Sequence, residues 1–164
     1  MTGEPVAEIV ATLRARGETV ATAESLTAGA AAARLADVPG ASAVLRGGVI
    51  VYATDLKTDL AGVDPQVLAE DGPVAARTAE QMARGAARRC GADWALALTG
   101  VAGPDGQDGH APGTVFVAVA GPGPHGQVTV EAPALSGDRA QIRAAAVDAG
   151  WDLLSRRLAV GADR

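Results

Sequence analysis

The sequence predicts an α/β fold in which a largely parallel, five-stranded sheet carries helices on both faces. Three observations lead there. Helical and strand-like segments alternate along the chain in the order αβαβ(α)αβββα. Helices that stand between strands act as crossovers, and crossovers join parallel strands. The last two strands flank a Gly/Pro turn instead, so they form a hairpin that adds an antiparallel strand.

Each element has its own signal. Residues 5–16 place Val6, Ile9, Val10 and Leu13 at helical spacing, with Pro5 suited to a first turn and Gly17 to a C-terminal cap. Residues 19–23 read as a short strand and 27–35 as an Ala-rich helix stopped by Asp37-Val38-Pro39-Gly40. Residues 44–52 are β-branched enough for a buried strand, and Gly47-Gly48 within them predicts a bulge or a close backbone approach. Residues 55–68 predict one or two short helices, the second starting at Pro65. A long helix follows over 73–90, where Arg88 and Arg89 suit its negative end and Gly91 its termination. Residues 94–99 form the next strand, and 114–120 and 127–131 form the hairpin around Gly121-Pro122-Gly123-Pro124. Residues 136–158 close the chain as a helix, with Asp138 as its cap and Gln141 completing a capping box.

The chain of 164 residues reads as one domain spanning 1–164, with no repeat or linker. Its longest apolar runs fall short of a membrane span, and its first residues lack the pattern of an export signal. A single cysteine, Cys90, excludes an internal disulfide framework and a cysteine-built zinc site. The expectation is a cytoplasmic, soluble protein with no membrane partner. A net charge of -5, with no basic run longer than two residues, argues against a duplex-binding face, so no nucleic-acid partner is expected.

One compositional feature is sharper. Alanine occurs 38 times and aromatic residues only four times, so small aliphatics must fill the core. Of 14 basic residues 13 are arginine, and the one lysine is Lys57, five positions after the only tyrosine, Tyr52. Arginine stays charged, whereas a desolvated lysine can become a neutral amine. Taken alone, a lone lysine in a biased composition is more often chance than function.

In open α/β sheets ligands bind beyond the carboxyl ends of the strands, where three polar clusters stand. Glu24-Ser25-Leu26-Thr27-Ala28-Gly29 joins the first strand to its helix. There a hydroxyl would meet free N–H groups able to hold an oxyanion or phosphate, unless Ser25 or Thr27 simply caps the helix. Tyr52 to Lys57 follows the second strand. A neutral Lys57 there can take a proton from a serine, provided the flanking Asp55 and Asp59 point away. Thr99-Gly100-Val101-Ala102-Gly103-Pro104 follows the third strand; its glycines permit close approach of a ligand and Thr99 can donate a hydrogen bond, although a tight structural turn would use the same residues. Other signals fail. Gly121 to Gly126 fits G-x-G-x-x-G literally but precedes a strand. Asp105, Asp108 and His110 sit in a Gly-rich loop without fixed metal geometry, and Cys90 reads as a small core residue.

Together the clusters resemble the CinA C-terminal domain family, the nicotinamide-nucleotide amidohydrolases. The stretches that carry the likeness are Thr22 to Gly29, Asp37-Val38-Pro39-Gly40-Ala41-Ser42, Tyr52 to Lys57, Thr99 to Pro104, Gly113-Thr114-Val115 and Ser136-Gly137-Asp138-Arg139. The resemblance implies a three-layer α/β/α sandwich around a mixed, mostly parallel five-stranded sheet. It implies hydrolysis of the carboxamide of nicotinamide mononucleotide to nicotinic acid mononucleotide and ammonia, a step of NAD salvage, with no cofactor and no metal. The family's catalytic positions fall on Ser25, Lys57, Tyr52 and Thr99, with Arg139 of the Gly-Asp-Arg motif as a phosphate contact. In the resulting scheme Lys57 deprotonates Ser25, N–H groups near Thr27 receive the oxyanion, Tyr52 or Lys57 protonates ammonia, and Thr27, Gly29, Thr99, Gly100 and Gly103 bind and position the substrate.

The chain departs from the family's Glu-Ser-Cys-Thr-Gly-Gly by Leu26 and Ala28, and from its Lys-Pro-Val by His110-Ala111-Pro112. Leu26 leaves Ser25 as the nucleophile, Ala28 adds a methyl group expected to narrow the pocket, and the last change removes a basic phosphate contact. Two alternatives follow from these departures: a non-catalytic nucleotide-binding module, or an amidase for a different small amide. An Ala-rich surface helix also leaves a homo-oligomer open.

Overall fold

In a computed structural model of the chain, residues 4–123 and 125–160 are described. Met1, Thr2 and Gly3 of the segment read for an export signal, and Pro124 of the hairpin turn, lie outside them. The elements are α1 (Glu4–Arg16), β1 (Val20–Glu24), α2 (Ala30–Ala36), a 3₁₀ turn (Ala41–Ala43), β2 (Leu45–Ile50), α3 (Thr54–Asp59), α4 (Pro65–Asp71), α5 (Ala76–Cys90), β3 (Trp94–Gly100), β4 (Val115–Ala120), β5 (Val128–Glu131) and α6 (Arg139–Val160).

The sheet has the order β2-β1-β3-β4-β5. β1 pairs in parallel with both β2 and β3, while β4 is antiparallel to β3 and to β5. Four strands therefore share one direction and β4 alone opposes them. The fold is the expected α/β sandwich with a mixed sheet. Because the chain leaves β1 to one side for β2 and returns on the other side as β3, the sheet has a switch point between β1 and β3. A crevice opens there at the strands' carboxyl ends.

Alternation along β3 and β4 divides the core into two unlike layers. Leu96, Leu98, Val117 and Val119 meet α1, α2 and α6, together with Ile9, Leu13, Leu153 and Trp151. Ala95, Ala97, Ala118 and Ala120 face the other way, against Met82, Ala79, Ala83 and Ala86 of α5. Strand period two sends successive side chains to opposite faces, so one face took the branched aliphatics and the other the alanines. The short alanine side chains let α5 lie close to the sheet, on the side where α3 and α4 also pack.

Several boundaries moved for local reasons. The second helix starts at Ala30, not at residue 27, because Ala28 (φ 50) and Gly29 (φ 99) are left-handed and cannot be helical. The second strand ends at Ile50, which leaves Tyr52 in the connection to α3. Position 48 has no room for a Cβ against Thr22, and the β1–β2 register shifts between Val20 and Ala21, as Gly47-Gly48 predicted. The capping box of α6 forms in both directions: the Asp138 N–H donates to Gln141 Oε1 at 2.8 Å, and the Gln141 N–H donates to Asp138 Oδ1 at 2.9 Å. No described helix is long and apolar enough to cross a membrane.

Candidate active site

At the β1–β3 switch point the structure contains a cavity of about 250 Å³. Ser25 follows the last residue of β1, and its N–H donates to Leu98 O of β3 at 2.9 Å, so strand pairing itself holds the residue beside Thr99. Lys57 comes from α3, in the next connection. The six-residue helix turns Lys57 inward, where it is 2% exposed, and leaves Asp55 and Asp59 in solvent.

The Lys57 amine donates to Val51 O at 2.8 Å, to Ser25 Oγ at 3.0 Å and to Tyr52 O at 3.5 Å. Among the described residues it has no carboxylate partner. Desolvation by burial therefore dominates and lowers its pKa from 10.5 to about 8. Once neutral, the amine has two N–H groups for the two carbonyls and a lone pair for the Ser25 hydroxyl. That arrangement fits a general base.

The turn after Ser25 is held differently from the expectation. The carboxylate of Glu24, buried at the end of β1, accepts from the Ala31 N–H at 2.8 Å, the Ala32 N–H at 3.1 Å and the Thr22 hydroxyl at 3.2 Å. Neither Ser25 nor Thr27 caps α2, and the first-turn N–H groups of that helix are already taken. In the turn ahead of the helix, the N–H groups without a partner among the described residues are those of Leu26, Thr27 and Gly29. Thr27 Oγ1 is buried with no hydrogen-bond partner.

Other predicted residues divide into two sets. Ser25, Tyr52, Lys57, Thr99, Gly100, Gly103 and Arg139 line the cavity together. The Thr27 side chain and Gly29 do not: a Cβ at position 29 would meet Ile50, and Gly29 makes the left-handed turn into α2. Thr99 donates its hydroxyl proton to Pro73 O at 2.7 Å, so toward a ligand it acts as an acceptor and not as the expected donor. Tyr52 is 56% exposed, and its hydroxyl accepts from Arg139 Nη2 at 3.0 Å. Arg139 also donates from Nη1 to Gly103 O at 2.7 Å, tying the start of α6 to the glycine loop. Ala28 is exposed and away from the cavity; its methyl group strains the backbone instead of narrowing the pocket.

The loop after Gly103 adds Asp105 and Gln107 to the lining, and Thr54 joins from the start of α3. Asp108 (φ 51) and Gly109 (φ 80) make a two-residue turn that closes a bridge between Gln107 and His110. No group of residues with metal-binding geometry occurs among the described residues. Burial raises the Cys90 thiol pKa more than Arg46 and Arg89 lower it, in keeping with a packing role. Sequence reasoning passed over Glu24 as the cap of α2 and Arg143 as a partner of the Ser25 turn. The second had a signal, since Arg143 lies four positions after Arg139 and shares its helix face.

The family model for the CinA C-terminal domain matches residues 4–158. The chain is 49% identical over 144 residues to a CinA-like protein of Frankia casuarinae, covering 88% of the chain and 33% of that protein. It is 44% identical over 153 residues to a putative competence-damage inducible protein of Shouchella clausii, covering 93% of the chain and 36% of that protein. The chain thus spans about a third of the length of the curated relatives it matches. Among solved structures, it is similar to the competence damage-inducible protein A of Klebsiella pneumoniae, with a TM-score of 0.90, 34% identity, and coverage of 96% of this chain and 97% of that one. It is also similar to the competence/damage inducible protein CihA of Agrobacterium tumefaciens, with a TM-score of 0.87, 35% identity, and coverage of 93% and 92%.

Proposed function

The chain belongs to the CinA C-terminal domain family, and from that premise we propose that it is an amidohydrolase that converts nicotinamide mononucleotide to nicotinic acid mononucleotide and ammonia. The observation that carries the reading is the 3.0 Å contact between Ser25 Oγ and a buried lysine amine that has no described counter-ion.

Neutral Lys57 accepts the Ser25 proton as Oγ attacks the carboxamide carbon. The carbonyl oxygen becomes an oxyanion, received by the N–H groups of Leu26 and Thr27. As the tetrahedral intermediate collapses, the C–N bond breaks and Lys57 returns its proton to nitrogen, so ammonia leaves and a nicotinoyl ester remains on Ser25. Water, deprotonated by the same amine, attacks that ester; the C–Oγ bond breaks and Ser25 recovers its proton. Thr99, with its own proton engaged by Pro73 O, accepts from the carboxamide NH₂ and orients it. Arg139 pairs with the phosphate, which a planar guanidinium binds through two parallel N–H donors. In this reading Tyr52 holds Arg139, and Lys57 alone moves protons.

The test is ammonia release by the purified protein from the mononucleotide, its riboside and free nicotinamide. Turnover of the mononucleotide above the other two is expected. Turnover equal for all three would remove the phosphate role, and saturable binding without ammonia would replace the enzyme by a binding module.

A further inference from the structure

Arg143 is half-buried on α6, one helical turn beyond Arg139, and does not line the cavity. Its Nε donates to Leu26 O at 2.8 Å and its Nη2 to Thr27 O at 3.1 Å. Among the described residues it makes no ion pair. A long cation thus directs its donors at two consecutive carbonyls of the turn that carries Ser25, 117 and 116 positions away in sequence.

The geometry of the peptide unit gives this contact a consequence. In a trans peptide the C=O and N–H lie on opposite edges of one plane, so fixing the carbonyl fixes the donor. Ser25 O accepts from the Ala28 N–H at 3.1 Å, which orients the Leu26 N–H. Leu26 O has Arg143 as its partner, which orients the Thr27 N–H. A cation at the carbonyl also draws electron density from the peptide and makes its N–H a stronger donor.

We propose that Arg143 is the positioning residue of the nucleophile turn, locking and polarising the Leu26–Thr27 peptide so that the Thr27 N–H meets the oxyanion formed at Ser25. The proposal rests on the serine acyl-transfer reading above, but not on the identity of the amide. A mere tether between α6 and β1 would affect stability and leave catalysis alone.

The experiment compares the wild type with Arg143→Met, which keeps length without donors, and Arg143→Lys, which keeps charge without the fork. Two reactions are followed: ammonia release from the mononucleotide, and labelling of Ser25 by a fluorophosphonate, read by intact mass. In labelling, Oγ attacks phosphorus, negative charge develops on the phosphoryl oxygen, and fluoride leaves with the hydroxyl proton passing to Lys57. Both kcat and the labelling rate should fall about 10- to 100-fold in Arg143→Met, with partial recovery in Arg143→Lys. KM should stay within about twofold and the pH limb near 8 should not move.

Labelling at the wild-type rate in either folded variant would overturn the proposal, as would a raised KM with unchanged kcat. If Arg143→Met does not fold, the Arg143→Lys rates decide. If the wild type labels at Ser25 but releases no ammonia, the substrate reading fails while the labelling ratios still judge Arg143. A wild type that does not label at Ser25 would end both.

Discussion

At one end of the cavity Ser25, Lys57 and Thr99 are buried, and each is held by main-chain partners on β1, β3 and their connections. At the other end Tyr52, Asp105 and Arg139 stand in solvent, and Arg139 ties the hydroxyl of Tyr52 to the carbonyl of Gly103. Both ends contain a cation, but the surroundings give the two cations different chemistry. Lys57 is buried and has no described carboxylate partner, so its charged form is penalised and its pKa lowered. Arg139 can keep its charge in solvent and attract an anion without becoming a base. Under the proposed function, burial alone would separate bond-breaking from recognition within one cavity.

Breaking the buried end should have the largest effect. Ser25→Ala and Lys57→Arg should each lower kcat about 10³-fold or more in the ammonia assay, because Arg keeps the charge and removes the tunable base. Full activity in either would dissolve the distinction between the two ends. Arg139→Ala should instead raise KM about 10- to 100-fold, the worth of a charge-assisted hydrogen bond, with kcat little changed. A kcat loss without a KM change would move Arg139 into the chemistry.

The pH dependence sharpens the contrast. Activity should rise with pH on a limb near 8 as Lys57 loses its proton, and that limb should survive in Arg139→Ala. Stability carries the same signature. The folded pKa of Lys57 lies below the unfolded one, so between about 8 and 10.5 the unfolded chain binds more protons and stability increases with pH. Below that window the charged amine is a constant penalty. Lys57→Met should flatten this rise in thermal melts recorded across the window; a slope that persists would assign it to other groups. The smallest effect is expected outside the cavity. Ala28→Gly relieves a left-handed alanine and should stabilise the fold by about 0.5 kcal/mol after the entropy cost of glycine, with activity within about twofold. A large activity change would return position 28 to the pocket.

Much of the site was legible before the fold was known, because its residues follow strands whose ends are readable. Ser25, Lys57 and Thr99 each come just after a run of apolar, strand-forming residues or at the start of the next helix. The parts that were not legible depend on contacts between distant elements. Glu24 reads as one more residue of the strand-to-helix junction until α2 folds back over it, and Arg143 reads as one more helix arginine until α6 crosses the Ser25 turn. Ala28 and Gly29 read as helix because alanine favours helix, yet the turn needed to bring α2 over Glu24 forces both into left-handed backbone.

Local pattern by itself determined the α/β class, the hairpin, the caps at Gly91 and Asp138 and the single tunable amine, since periodicity and side-chain chemistry need only near neighbours in sequence. Tertiary structure alone decided that Asp55 and Asp59 turn away from Lys57, that Thr99 gives its proton to Pro73 O, and that the Thr27 side chain and Gly29 stay out of the cavity lining. Those outcomes depend on which groups exclude water from which others, and that is settled only when helices from separate parts of the chain close over the sheet.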